Sequence, residues 1–317
     1  MIISIAIPCY NSSKTLRQVV NEIKSVIQTR ENTDYQIILV NDTSPDNTFE
    51  VITQLCSEDS KIIGVDLSKN YGQASAQMAA VRYIKGDVAV FMDDDGQHPP
   101  AELFKLVDKI SDGYDVVYAQ FISKKHSLFK RVSSNINSKI LEFTNRKPKG
   151  IQLSSYFALS KFAVRALKNY KSPFPSLGGY LLQVTRRITN VQVEHRARIC
   201  GRSNYSFKKL LKLWLQGFTN FSIAPLRFAS IVGSLCAAVG IIAGIVLVIR
   251  KLIFPNIAVG YTSIVSVLLF IGGLIMLMLG ILGEYLGRIY ILLSNMPQYE
   301  VRNALNYTEK NEDIDES

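Results

Sequence analysis

The sequence predicts an α/β domain built on a mostly parallel sheet, followed by a membrane anchor of two helices. Three observations support this fold class. Short β-branched runs alternate with helix-like segments in the first half of the chain, the apolar excess lies after Pro225, and two long uncharged stretches follow it. The 317 residues are enough for one domain of ordinary size and such an anchor.

The first half alternates predicted strands with predicted helices. The apolar runs predicted as strands are Ile2–Ile7, Gln36–Val40, Ile62–Leu67, Val88–Met92 and Val116–Phe121. The segments predicted as helices are Lys14–Gln28, Asn47–Cys56, Gln73–Ile84 and Ala101–Ile110. Because helical crossovers cover both faces of a parallel sheet, the βαβαβαβ order predicts a mostly parallel sheet between two helical layers.

Each of the first four predicted strands ends in a polar cluster. The clusters read PCYN, NDTSPDN, LSKN and DDDGQ. Ligands of such sheets bind outside the carboxyl ends of the strands. We therefore expect all four clusters on one rim of the sheet, around a common binding site.

Three adjacent aspartates follow the fourth strand in VAVFMDDDGQHPP, residues 88–100. Alternate side chains of a strand share a face, so we expect Asp93 and Asp95 to point one way and Asp94 the other. Mg²⁺ and Mn²⁺ commonly bind through one or two carboxylates together with substrate phosphates. Such a cation offsets the repulsion between the acids and neutralises charge on a diphosphate leaving group. The triplet predicts a metal–diphosphate site, and a solvated acidic loop is the alternative.

The second half of the chain changes character. Residues 122–205 are basic and mixed, without a clear period. The segment 206–221 is amphipathic with lysines on one face, which is typical of a helix at a membrane interface, although packing on the domain is the alternative. Two apolar stretches, about 227–249 and 262–286, can each span roughly 30 Å of hydrocarbon, and a buried core hairpin is the alternative. The basic segment 186–212 places both ends in the cytoplasm.

Charge and cysteine content limit the partners and the compartment. The formal charge is +10, and because the last nine residues carry −4, residues 1–308 carry +14. That excess favours an anionic partner, such as nucleic acid, an anionic membrane or a phosphorylated substrate. The four cysteines have no metal-like spacing and are expected to be reduced thiols. The amino-terminal MIISIAIPCYN lacks a basic region, so we interpret it as a strand and not as a signal peptide.

Several segments together resemble glycosyltransferase family 2, and in particular its polyprenyl-phosphate glycosyltransferases. The segments are IPCYNSSKTL, VNDTSPDNT, LSKNYGQASAQMAA, MDDDGQHPPAEL, HRARICGRSNYSFKKL, PLR at 225–227 and LGEYLGRIY at 282–290. The resemblance covers roughly residues 2–300 and implies a GT-A fold. With the hydropathy pattern it predicts a catalytic domain over 1–205, a juxtamembrane helix over 206–224, a two-helix anchor over 225–287 and a cytoplasmic tail over 288–317.

The resemblance also implies a role for each matching residue. Asp93, Asp95, Gln97 and Arg198 would form the catalytic centre, with Mg²⁺ or Mn²⁺ bound by Asp93 and Asp95. The residues implied for the nucleotide sugar are Pro8, Tyr10, Asn11, Asp42, Asn70, Gln73 and Asp94. Those implied for the acceptor phosphate are Lys130, Arg131, Arg198 and Ser203. For Tyr10, Gln97 and His195, ordinary packing or turn chemistry is the alternative.

The chain departs from the family pattern at two places. Members often carry an arginine just after the fifth strand, where this chain has Phe121. Others carry one in an SFR-like segment, where this chain reads SSYFALSK and has Phe157. The basic residues that could supply the missing charge are Lys124, Lys125, Lys130 and Arg131. These departures leave the sugar and the acceptor clamp open.

The resemblance implies an inverting transfer from a nucleotide-diphosphate sugar, expected to be a UDP-sugar, to polyprenyl phosphate. The site would lie on the cytoplasmic face of a bacterial inner membrane and would serve cell-envelope glycans. A phosphate monoester, with a second pKa near ~6, is largely dianionic at neutral pH, so the acceptor needs no general base. Because the positive charge leads into a membrane anchor, we expect no nucleic-acid partner. The glycine patterns GIIAG and GEYLG leave homo-oligomerisation open.

The sequence leaves three alternative functions to compare with this transfer reaction. A processive or soluble-acceptor member of the same family is one, but the QxxRW signature of processive synthases is absent and the only tryptophan is Trp214 in LLKLW. A non-catalytic membrane scaffold is the second, and it would not need Asp93 and Asp95. A Mg²⁺-dependent phosphotransferase is the third, but the sequence lacks both GxxxxGK[ST] and a nucleophilic aspartate at the first strand end.

Overall fold

The computed structural model describes residues 1–121, 148, 150–194, 196, 260–294 and 296–307, together with separate positions between 231 and 253. The chain divides into two compact units. One is formed by Met1–Leu210 with Pro297–Ser317, and the other by Leu211–Met296. The amphipathic helix predicted at 206–221 lies outside the described residues.

The first unit contains the strands and helices that the sequence predicts, with ends shifted by at most two residues. The strands are β1 (Ile2–Cys9), β2 (Asp34–Asn41), β3 (Ile62–Leu67), β4 (Val88–Phe91), β5 (Val116–Phe121), β6 (Phe157–Ser160), β7 (Ile188–Val193) and β8 (Val301–Leu305). The helices are α1 (Leu16–Gln28), α2 (Thr48–Glu58), α3 (Gln73–Tyr83), α4 (Leu103–Ser111), α5 (Lys161–Lys168) and α6 (Leu177–Val184). A short 3₁₀ turn, Pro100–Glu102, precedes α4.

The strands form one eight-stranded sheet in the order β7-β5-β6-β4-β1-β2-β3-β8. Strand β1 pairs in parallel with β2 and β4, β2 pairs in parallel with β3, and β5 pairs in parallel with β7. Strand β6 runs antiparallel between β4 and β5, and β8 runs antiparallel to β3 at the edge. The predicted mostly parallel sheet is confirmed, and β6, β7 and β8 are additions that the sequence did not predict.

Apolar side chains fill a layer on each face of the sheet. On one face Ile3, Ile5 and Ile7 of β1 pack against α1, α2 and α4. On the other face Ala6 of β1 packs with residues of α3, α5 and α6. Successive strand residues point to opposite faces, so a strand buried on both sides must be apolar throughout. This explains why the sequence shows continuous apolar runs instead of alternation.

Strand β8 belongs to the first unit, although it comes after the second unit, Leu211–Met296, in the chain. This second unit is the helical segment of the protein. It pairs with β3, and the backbone N–H of Ser68 donates to the carbonyl oxygen of Glu300 at 2.9 Å. The Asn306 amide nitrogen lies 2.6, 3.3 and 2.9 Å from the carbonyl oxygens of Cys56, Asp59 and Ile62. Part of the segment predicted as a tail, 288–317, is therefore an integral strand of the sheet.

Among the described residues of the second unit is a long helix, α7 (Tyr261–Leu293), which extends seven residues beyond the predicted end at 286. Within it, Phe270–Leu293 is the one stretch of the described residues that is long and apolar enough to cross a membrane. The other predicted span, 227–249, is described only at separate positions, which are helical. At one of them, Gly233, an added Cβ would collide with the side chain of Met278. The two-span prediction is thus supported for one span only.

We predict that Asn306→Ala lowers the stability of the first unit. The substitution removes the only side-chain donor shown for three backbone carbonyls, and it places alanine at a backbone φ of 57° that asparagine tolerates better. We expect a loss of about 1–2 kcal/mol, or about 3–6 °C in the unfolding midpoint, measured by thermal unfolding of the purified chain in detergent. Asn303→Ala, at an exposed position of β8, is the control, and equal midpoints for the two variants would contradict the assignment.

Candidate active site

The carboxyl ends of β1 to β4 meet at one rim, because these strands are parallel and adjacent. Each strand is followed by a turn that passes through left-handed backbone. The residues with positive φ are Asn11 (59°), Thr43 (53°), Gly72 (89°) and Gly96 (75°). Glycine and asparagine adopt this region readily, whereas β-branched Thr43 is held there against its preference. The four polar clusters therefore share one rim, as the sequence predicts.

Asp42, just after β2, ties its loop to the loop that follows β3. Its two carboxylate oxygens accept hydrogen bonds from the backbone N–H groups of Tyr71 and Gly72 at 2.7 and 2.8 Å. The Asn70 side chain donates to the Asp42 carbonyl at 3.2 Å. Asp42 is only 4% exposed, and burial raises the pKa of its carboxyl while the two N–H donors act in the opposite direction. In this structure Asp42 and Asn70 hold the start of α3.

Asp94 ties the turn after β4 to the loop after β1. Its carboxylate accepts a hydrogen bond from the backbone N–H of Tyr10 at 3.0 Å, and the Thr15 hydroxyl donates to its carbonyl at 2.8 Å. Burial raises the pKa of the Asp94 carboxyl to about 6. Strand β4 ends at Phe91, so the turn, and not strand alternation, sets the directions of the three aspartates.

The Asp93 carboxylate is held by side chains from three segments. Gln73 at the start of α3 donates to Oδ1 at 2.8 Å, and the Ser155 hydroxyl donates to Oδ2 at 2.9 Å. His98 Nε2 lies 3.6 Å from Oδ2. The Asp93 backbone N–H donates to His98 Nδ1 at 2.9 Å. Asp95 accepts a hydrogen bond from the backbone N–H of Gln97 at 3.0 Å.

Asp93 and Asp95 fit a divalent cation that substrate completes. Both are partly exposed at the rim, and each oxygen of an ionised carboxylate can accept more than one contact. No group of three or more His, Cys, Asp or Glu that could hold a metal ion occurs within the part of the chain that the structure describes. The donor set therefore suits Mg²⁺ or Mn²⁺ with water and phosphate as remaining ligands, and it does not form a protein cage.

The other predicted site residues divide into three groups. The first group lies on the rim beside the aspartates and consists of Tyr10, Asn11 and Gln97. Tyr10 is 48% exposed. Pro8 is buried within β1 opposite Val40. The residues outside the described part of the chain are Lys124, Lys125, Lys130, Arg131, His195, Arg198 and Ser203.

The two positions where the sequence departs from the family pattern have structural roles. Phe157 is buried in β6 and stacks on Phe91 with ring centres 4.7 Å apart. Phe121, the last residue of β5, stacks on His98 at 5.6 Å. His98 and Ser155 were missed as site residues by sequence reasoning. The only signal was their position, in the HPP that follows the aspartates and in SSYF before β6.

A family model of glycosyl transferase family 2 matches residues 4–167, which is more than half of the chain. The chain belongs to glycosyl transferase family 2. A second model, the GtrB C-terminal hairpin, matches residues 224–289, which include most of α7. Residues 297–307, which contain β8, lie outside both matches.

Relatives of this family 2 chain match it along almost its whole length. Undecaprenyl-phosphate 4-deoxy-4-formamido-L-arabinose transferase of Proteus mirabilis is 33% identical over 99% of this chain and 97% of its own. The uncharacterized glycosyltransferase YkcC of Bacillus subtilis is 29% identical over 97% and 95%. Among solved structures, glucosyl-3-phosphoglycerate synthase from Mycobacterium tuberculosis in complex with Mn²⁺ and UDP-glucose aligns with 68% of this chain and 76% of its own, at 19% identity and a TM-score of 0.49. At this level of similarity, the structure carries no argument about the residues of the site.

We predict that Asp42→Asn loosens the loop after β3. An amide offers one acceptor oxygen instead of two, so the N–H of Tyr71 or Gly72 loses its partner. We expect amide hydrogen exchange over residues 70–73 to accelerate about 10-fold, as the loss of one hydrogen bond to a charged group implies. Asp112→Asn, which removes an exposed carboxylate paired with Lys109, is the control. Unchanged exchange in Asp42→Asn would show that the carboxylate does not hold this loop.

Proposed function

We propose that the chain is a membrane-bound, metal-dependent, inverting glycosyltransferase that transfers a sugar from a nucleotide-diphosphate sugar to polyprenyl phosphate. The observation that carries this proposal is the pair Asp93 and Asp95. Both lie partly exposed on one turn, at the rim where the carboxyl ends of four parallel strands meet. Family membership supports the reaction class, and relatives named undecaprenyl-phosphate transferases support the acceptor.

The donor is proposed to bind along this rim. The exposed ring of Tyr10 and the side chain of Asn11 offer a surface for the nucleotide, and Gln73 and Gln97 lie next to the two aspartates. Asp93 and Asp95 would hold Mg²⁺ or Mn²⁺, and the bound ion neutralises charge on the diphosphate. The nucleotide is proposed to be UDP. Asp42 and Asp94 would act on the donor indirectly, because their carboxylates already bind backbone N–H groups.

The chemical step needs positioning more than proton transfer. A phosphate oxygen of the lipid forms a bond to the anomeric carbon while the bond from that carbon to the diphosphate oxygen breaks, and the nucleoside diphosphate leaves. The acceptor is dianionic near neutral pH, so no protein group has to remove a proton. Lys130, Arg131, Arg198 and Ser203 remain the proposed ligands of the lipid phosphate.

The path of the chain supports an anchor that crosses the membrane twice. The chain leaves the first unit before the helical segment and returns to it in β8, which pairs with β3. This path favours a segment whose two ends lie on the same side of the membrane, which requires an even number of crossings. Phe270–Leu293 is one candidate crossing, and we propose that the second precedes α7. We therefore propose two spans, one at about 227–249 and one within α7, with the α/β unit and both termini in the cytoplasm of a bacterial cell.

We predict that sugar transfer into lipid depends on Asp93 and Asp95. Purified protein in detergent would be incubated with undecaprenyl phosphate, Mg²⁺ or Mn²⁺ and a panel of labelled UDP-, GDP- and dTDP-sugars. One donor should label the lipid extract, EDTA should abolish labelling, and Asp93→Asn or Asp95→Asn should lower the rate about 100-fold or more, because charge on the leaving group is no longer neutralised.

The control for this assay is Asp108→Asn, which removes an exposed carboxylate on α4 that pairs with Arg30. It should leave the rate within about 2-fold of wild type. Transfer to a soluble acceptor, with no label in lipid, would refute the acceptor assignment. Full activity of the Asp93 and Asp95 variants would refute the metal site, and no turnover with any donor would favour the scaffold alternative.

We predict that a reporter fused after Asn256 reports the outer face of the membrane. Two spans place this position outside, so an alkaline phosphatase fusion there should be active, because the enzyme needs the oxidising exterior to form its disulfides. A fusion after Asn303, beyond α7, should be inactive. Activity at both positions, or at neither, would contradict two spans that flank Asn256.

A further inference from the structure

We propose that His98, together with Ser155, is a positioning residue for the Asp93 carboxylate and thereby sets the affinity of the site for its divalent cation. The inference rests on the proposed metal–diphosphate function. It goes beyond that function by adding residues that do not themselves touch donor, acceptor or metal.

The imidazole of His98 is fixed by its neighbours. Its side chain is 5% exposed and lies between two aromatic rings, Tyr156 at 5.0 Å and Phe121 at 5.6 Å, both within 16° of parallel. The Tyr156 hydroxyl donates to the carbonyl oxygen of Pro99 at 3.2 Å, which ties this stack to the segment after the aspartates. The ring of His98 cannot turn without opening the stack.

The hydrogen bond to Nδ1 assigns the tautomer of His98. Because the Asp93 backbone N–H donates to Nδ1, this nitrogen carries no proton, and the neutral ring carries its proton on Nε2. Nε2 faces Oδ2 of the same Asp93 at 3.6 Å. One rigid ring therefore contacts both the backbone and the carboxylate of Asp93.

The remaining contacts fix the plane of that carboxylate. Gln73 holds Oδ1, and Ser155, which lies 62 residues further along the chain, holds Oδ2. A carboxylate oriented in advance loses less freedom when it binds a cation, and loss of such supporting contacts typically lowers metal affinity or activity about 10–100-fold. The geometry of Asp93 is thus determined by three separate segments.

Two substitutions separate positioning from packing. His98→Phe retains an aromatic ring in the stack and removes both polar contacts with Asp93. Ser155→Ala removes one donor to Oδ2 and leaves the stack unchanged. The matched control is Tyr156→Phe, which keeps the ring that stacks on His98 and removes only the hydroxyl bonded to Pro99.

The experiment measures Mn²⁺ binding to the full-length protein in detergent by electron paramagnetic resonance, alone and with UDP, GDP or dTDP, beside the thermal unfolding midpoint. We expect His98→Phe to weaken Mn²⁺ binding about 10-fold or more and Ser155→Ala to weaken it about 3–10-fold, while both midpoints stay within a few degrees of wild type. Tyr156→Phe should change Mn²⁺ affinity less than about 2-fold. His98→Asn, whose amide oxygen can accept the Asp93 N–H, should recover part of the loss.

The outcomes distinguish this inference from the function on which it rests. If wild-type protein binds no Mn²⁺ under any of these conditions, the proposed metal site fails, and the inference fails with it. If wild type binds Mn²⁺ and His98→Phe binds it equally well, only the inference fails. If His98→Phe unfolds, Ser155→Ala decides, and unchanged Mn²⁺ affinity in that variant overturns the proposal.

Discussion

Hydrogen bonds from backbone N–H groups to two carboxylates hold the loops at the rim of this sheet together. Asp42 joins the loops after β2 and β3, and Asp94 joins the loops after β1 and β4. Because Asp42 fixes Tyr71 and Gly72, it also fixes the first residue of α3, Gln73, which contacts Asp93. Asp42 and Asp94 thus join the loops that surround Asp93 and Asp95. A carboxylate can join loops in this way because it accepts hydrogen bonds from several N–H groups. Each of these bonds is stronger than a bond to a neutral acceptor.

The acidic triplet is stable in one turn because its carboxylates diverge. Asp93 is held by Gln73 and Ser155, Asp94 by the N–H of Tyr10 and Asp95 by the N–H of Gln97. Asp93 accepts hydrogen bonds from side chains of distant segments, and Asp94 accepts one from the loop after β1. Asp95 accepts one from within its own turn. Asp93 and Asp95 are thus the proposed pair for a cation, while Asp94 supports the loop after β1.

Local pattern was sufficient to predict β1 to β5 and α1 to α4, because apolar runs and helical spacing are properties of short segments. It did not predict β6, β7, β8, α5 or α6. The common rim followed from parallel pairing, which the βαβ order implies. What the sequence did not predict depends on distant pairing. Ser155 and Asp93 are 62 residues apart, Phe157 proved to be core through its stack on Phe91, and the direction of Asp94 depends on a strand that ends one residue early. No period within a short window encodes such contacts.

Strand β8 has a consequence for biosynthesis. Arg302 and its partner Ser68 are 234 residues apart in the chain, and the whole helical segment is translated between them. Until the ribosome has finished that segment, the outer edge of β3 lacks its partner and presents unpaired N–H and C=O groups, which are a template for aggregation. The sheet can therefore be completed only after the whole helical segment has been synthesised. A truncated product would keep an open edge, which quality-control proteases and chaperones can recognise.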